Sequence, residues 1–134
     1  MATNILIVED EFLIAIEMEE VVLELGHQSA GIADDMPSAM AKASSEIDVA
    51  LVDINLSDGA TGPDIGKRLA AEFGIQVIFV TANPSQLGDG ISGTVGALEK
   101  PVDISTLKQA LDYVLAAGKG KEVDPPTPLR LFDD

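Results

Sequence analysis

A chain of 134 residues holds one ordinary domain with a single core, and its lack of Cys and single His exclude disulfides, thiol catalysis, zinc fingers, iron–sulfur clusters and any His-rich metal site. Acidic residues outnumber basic ones by 23 to 8, giving a net charge of −15 with the cations scattered. No basic footprint for nucleic acid is present, and an anionic membrane surface would repel such a chain. The N-terminus has no basic lead, and its first apolar run ends at Glu9-Asp10, so the pattern predicts a soluble cytoplasmic protein.

The first predicted strand is Asn4–Val8. Its ILIV run is continuous rather than alternating, as expected for a strand covered on both faces. A helix follows Asp10, with Ile14, Met18, Val21, Val22 and Leu25 on one stripe, Glu17, Glu20 and Glu24 opposite, and Gly26 at its end. A second strand, Gln28–Ala33, leads into a helix opening at Asp34-Asp35 with Pro37 in its first turn. The third strand is Val49–Val52, and the third helix carries Ile65, Leu69 and Phe73 before Gly74. A fourth strand over 75–80 contains the continuous run VIFV. Between 81 and 93 the pattern weakens to one or two helical turns at most. A fifth strand over 94–98 precedes a last helix with Asp103 as N-cap and Ile104, Leu107, Leu111, Val114 and Leu115 along it. From Gly118 the composition turns to Gly, Lys and Pro. The expectation is a domain over 1–117 and a mobile tail over 118–134, within which 129–132 is either a disordered end or a docking segment.

Strand and helix alternate throughout, which implies a doubly wound parallel α/β sheet. Sites in such sheets lie beyond the carboxyl ends of the strands. Glu9 and Asp10 follow the first strand, Asp53 the third, Thr81 the fourth and Lys100-Pro101 the fifth, whereas Glu11 reads as the start of the helix. Crowded carboxylates stay ionised together only around a cation, and hard oxygen donors point to Mg²⁺, with Ca²⁺ or Mn²⁺ as substitutes. An Asp carboxylate can attack phosphorus and become an aspartyl phosphate, with a metal, a Lys ammonium and a Thr hydroxyl neutralising the phosphoryl oxygens.

ILIVEDE at 5–11, ALVDINL at 50–56, VTA at 80–82 and EKP at 99–101 together resemble the receiver domain of bacterial two-component response regulators. The resemblance implies a flavodoxin-like, five-stranded parallel sheet of order 2-1-3-4-5. It implies Asp53 as phosphoacceptor and Asp10 as direct metal ligand. Glu9 would ligate the metal through water and Asn55 through its backbone carbonyl. Thr81 and Lys100 would hold the phosphoryl oxygens, and a cis peptide would join Lys100 to Pro101. The donor would be a sensor histidine kinase or phosphotransfer protein, and the output an unknown downstream protein rather than nucleic acid, membrane or a catalytic activity. ILIVEDEFLIA and LGH further resemble receivers tied to bacterial general-stress signalling.

Two features depart from the family pattern. Receivers commonly carry Tyr or Phe three residues before the Lys, where this chain has Ala97. The connection from Thr81 to Lys100 is also short, so the helix between the fourth and fifth strands should be short or irregular. Both favour an alternative, a pseudo-receiver adaptor that works without phosphorylation. A phosphatase of the haloacid-dehalogenase type fits less well, because Asn55 stands where its general acid would be. A flavin carrier lacks its phosphate loop, since Glu9-Asp10 would repel phosphate without a metal.

Overall fold

The computed structural model describes residues 3–132. Its strands are β1 (Asn4–Val8), β2 (Gln28–Ala33), β3 (Val49–Val52), β4 (Gln76–Thr81), β5 (Gly96–Glu99) and β6 (Arg130–Leu131). The helices are α1 (Phe12–Glu24), α2 (Met36–Lys42), α3 (Gly62–Phe73) and α4 (Ile104–Gly118). The sheet order is β2-β1-β3-β4-β5-β6, parallel except for the last pair. The flavodoxin-like core expected from the sequence is therefore present.

Continuous apolar strands arise because successive side chains point to opposite faces and both faces are covered. Leu6, Val8, Ala50, Val52, Val77 and Phe79 pack with Ile65 and Leu69 of α3. Ile5, Ile7, Leu51, Ile78, Val80 and Leu98 pack with Ala15 and Val22 of α1 and with Leu107, Leu111 and Val114 of α4. Asp35 caps α2 by accepting from Ser38 N at 2.9 Å, and Asp103 caps α4 by accepting from Thr106 N at 2.7 Å. Such caps are worth about 1 kcal/mol each. Gly74 ends α3 in the left-handed region at φ 69°.

The strand boundaries of β4 and β5 differ by one or two residues from the expected 75–80 and 94–98. Thr94 turns instead of extending, its Oγ1 donating to Ile91 O at 2.6 Å. Ile104 lies exposed at the start of α4 rather than on its inner stripe. The expected irregular connection between β4 and β5 contains only a single 3₁₀ turn, Pro84–Leu87, anchored by buried Leu87.

The clearest difference is at the C-terminal end. The sheet has six strands, not five, and the sixth comes from the segment expected to be a mobile tail. Arg130–Leu131 pair antiparallel with β5, Leu129 is buried, and the Phe132 ring lies 6.3 Å from that of Phe79. The short β4–β5 connection leaves this sheet edge uncovered, and the few apolar residues of an otherwise polar segment cover it. Among the described residues, no helix is long and apolar enough to cross a membrane.

Candidate functional site

The ladder continues one residue beyond the strands and fixes the site. Glu9 N donates to Ala33 O at 2.8 Å, Asp53 N to Val8 O at 2.9 Å and Lys100 N to Thr81 O at 2.9 Å. Residues far apart in sequence therefore leave the sheet at one level, as the strand-end rule requires.

Carboxylate oxygens of Glu9, Asp10 and Asp53 come within 4.8 Å of one another. Glu9 is 1% exposed and Asp53 9%, whereas Asp10 is open to solvent. Lys100 Nζ lies between the two buried acids, donating to Asp53 Oδ2 at 2.9 Å and to Glu9 Oε1. The second oxygens are engaged by backbone: Ile54 N donates to Asp53 Oδ1 at 2.7 Å, and Glu11 N to Glu9 Oε2 at 3.2 Å. Thr81 is buried, and its Oγ1 accepts from Asn83 N at 3.1 Å. Asn55 is exposed and its amide donates to Gln86 Oε1 at 3.2 Å, tying the loop after Asp53 to the 3₁₀ turn. The Lys100–Pro101 bond is cis.

Burial pushes the Glu9 carboxyl up to about 7, reinforced by the charge of Asp53 and opposed by the bonds from Lys100 and Glu11. Burial works against the Lys100 ammonium, but its bonds to Glu9 and Asp53 outweigh that, and its pKa is raised. Three acids share one ammonium, so the pocket is short of positive charge. Its donors are all hard oxygens, and a divalent cation such as Mg²⁺ fits them.

One positioning residue is not evident from the sequence motifs. Gly62 opens α3 against the backbone of Asp53 and Ile54, its N donating to Ile54 O at 2.9 Å. A Cβ there would fall inside the Asp53 carbonyl oxygen and stand 2.6 Å from Ile54 Cα. Only glycine lets α3 approach Asp53 this closely. The local sequence around Gly62 gives no hint of this packing. Ala97 is buried in the core cluster that contains Phe79, and Phe132 of the C-terminal segment packs against that same cluster.

The model of the response regulator receiver domain family matches residues 5–112. The phyllosphere-induced regulator PhyR of Methylorubrum extorquens is 42% identical over 92 residues, covering 67% of this chain and 34% of that protein. The solution structure of the Erythrobacter litoralis PhyR receiver domain superposes with a TM-score of 0.74 at 32% identity, covering 94% of this chain and 96% of that one. The anti-anti-sigma factor PhyR of Bartonella quintana superposes with a TM-score of 0.69 at 33% identity, over 90% of this chain and 51% of that one. The chain thus spans about a third of the curated PhyR relative and about half of the Bartonella structure.

Proposed function

The chain belongs to the response regulator receiver domain family, and on that premise we propose that Asp53 accepts a phosphoryl group from the phospho-His of a sensor histidine kinase or phosphotransfer protein. The observation that carries this reading is the convergence of Glu9, Asp10 and Asp53 on one pocket with Lys100 bonded to Asp53. A carboxylate oxygen of Asp53 attacks phosphorus as the P–N bond to the donor imidazole breaks, and the electron pair leaves with the imidazole. Mg²⁺, when bound, supplies positive charge to the phosphoryl oxygens. Asp10, Asp53 and the backbone carbonyl of Asn55 would hold it, with Glu9 acting through water. Lys100 keeps Asp53 oriented and then neutralises one phosphoryl oxygen, and the Thr81 hydroxyl donates to another. The test is transfer from a phosphorylated kinase: the Asp53 peptide should gain one phosphoryl group with Mg²⁺ and none with a chelator. Labelling that ignores the chelator would overturn the metal-dependent mechanism.

The downstream effect runs through protein contacts. The similarity to PhyR, called a stress response regulator and an anti-anti-sigma factor in its own structures, supports a protein target in a stress-response relay. Ala97 favours the second reading, an adaptor that ignores phosphate, and the absence of any label from donor and Mg²⁺ would select it.

Asp10→Asn should weaken Mg²⁺ binding by at least tenfold, about 1.4 kcal/mol, because it removes the most accessible carboxylate of the cluster. Calorimetry giving the wild-type affinity would remove Asp10 from the ligand set.

The moving part should be the 82–93 connection. It hangs from Thr81 through Asn83 N, has Gly88 and Gly90 at φ 56° and 121°, and is pinned by Leu87. Beryllofluoride, a phosphoryl stand-in, should change hydrogen exchange across 82–93. Identical exchange there, with changes only in other helices, would exclude this route.

A further inference from the structure

The C-terminal segment sits on the sheet like a bound peptide. Its path onto β5 crosses a connection containing Pro125, Pro126 and Pro128, which lack backbone donors, and among the described residues two of its own, Arg130 and Leu131, enter the ladder. The contacts alternate as those of an added strand do. Leu129 enters the core on the α4 face. Phe132 enters on the α3 face, where its ring meets Phe79 and its N donates to Val95 O at 3.0 Å. Arg130 lies over the Phe132 ring, 5.6 Å from its centroid, and donates to Gly88 O.

The receiving surface is shaped to this segment. A Cβ on Gly96 would fall inside the Arg130 carbonyl oxygen, and its next contacts, Arg130 C and Leu131 Cα at 3.1 Å, also belong to the segment. A Cβ on Gly90 would meet the Phe132 ring at 2.6 Å. The three nearest atoms at each glycine all come from residues 130–132, so both positions are cleared for the strand rather than for the core.

We propose that the outer edge of β5, walled by the Gly88–Gly90 turn, is a strand-accepting groove, and that residues 129–132 are its internal ligand. A partner would enter as an extended segment with an apolar residue in the Leu129 slot, a cation next and an aromatic residue in the Phe132 slot. A cation suits this partner, because the chain carries a net charge of −15. The chain's own strand competes with that segment, so binding requires its displacement. An uncovered β5 edge would otherwise expose unpaired backbone groups to any strand. This groove stands independently of phosphoryl chemistry at Asp53.

The test uses the full chain and a labelled peptide of residues 125–134. The double variant Leu129→Asp/Phe132→Asp frees the edge and should bind the peptide at least about tenfold more tightly than wild type by fluorescence anisotropy. Adding Gly96→Ala should remove that gain, because the methyl group blocks the incoming backbone. Equal affinity of wild type and double variant, or no loss on adding Gly96→Ala, would overturn the proposal. A second measurement does not depend on the double variant folding. Gly96→Ala alone, with a wild-type circular dichroism spectrum, should speed tryptic cleavage after Arg130 by about tenfold, since an unpaired strand enters a protease more readily. Cleavage at the wild-type rate would show that the strand does not depend on this groove.

Discussion

Asp53→Asn should take up no phosphoryl group from acetyl phosphate under conditions in which the wild-type chain is labelled, and it should keep its fold. The amide matches the carboxylate in shape and can still accept from Ile54 N, which in the native chain donates to Asp53 Oδ1 at 2.7 Å. It is no nucleophile toward phosphorus. Lys100 loses one charged partner but keeps Glu9. The pocket loses one of three crowded acids, so like-charge repulsion falls. Far-UV circular dichroism should be unchanged and the thermal midpoint no lower than that of wild type. The other acids near the pocket give specificity its meaning. Glu9 is buried and held from both sides, by Lys100 and by Glu11 N. Asp10 is open to solvent and lies in the same cluster. Equal labelling of the variant by mass spectrometry would mean that one of these, not Asp53, is the acceptor.

The sequence reveals what depends on local pattern and misses what depends on distant packing. The ILIV and VIFV runs mark buried strands because a strand covered on both faces cannot alternate. Once the strands are placed, the strand-end rule brings Glu9, Asp10, Asp53, Thr81 and Lys100 to one edge without further information. Nothing local specifies that Lys100 lies between Glu9 and Asp53, since those partners are 91 and 47 residues away. The Asn55–Gln86 bond and the close approach of Gly62 to Asp53 are equally invisible, because each belongs to two elements that meet only in the folded chain. β6 is the largest omission. Two strand residues after a Pro-rich stretch read as a tail, and their docking is explained by the edge that the abbreviated β4–β5 connection leaves open. In the sequence, Ala97 stands where receivers commonly carry an aromatic. In the folded chain Phe132, supplied from the far end of the sequence, packs against the core cluster that holds Ala97 and its strand neighbour Phe79.

Lys100→Met should destabilise the metal-free chain by about 3 kcal/mol near neutral pH, a size typical of removing one partner from a buried charge pair. The side chain retains its apolar stem, but Glu9 and Asp53 lose the ammonium that bridges them. The loss should depend on pH with a definite sign. In the wild-type chain the Glu9 pKa is raised from 4.5 to about 7 by burial, so the folded state holds a proton that the unfolded state releases. That contribution is fully present below about 4.5 and is lost as the pH rises through 7. Without Lys100, whose bond and charge both lower the Glu9 pKa, the window moves upward. The variant should therefore fall less far below wild type at about pH 5, where Glu9 is protonated and only the Asp53 pairing is missed, and furthest below it at about pH 8. Mg²⁺ should recover part of the loss at the higher pH, because a divalent cation replaces the missing positive charge among the same oxygens. Urea unfolding followed by far-UV circular dichroism, with and without Mg²⁺ at the two pH values, measures each of these differences. A stability loss that is the same at both pH values and indifferent to Mg²⁺ would mean that Lys100 contributes packing alone, and that the Glu9–Lys100–Asp53 arrangement is not the electrostatic centre of the site.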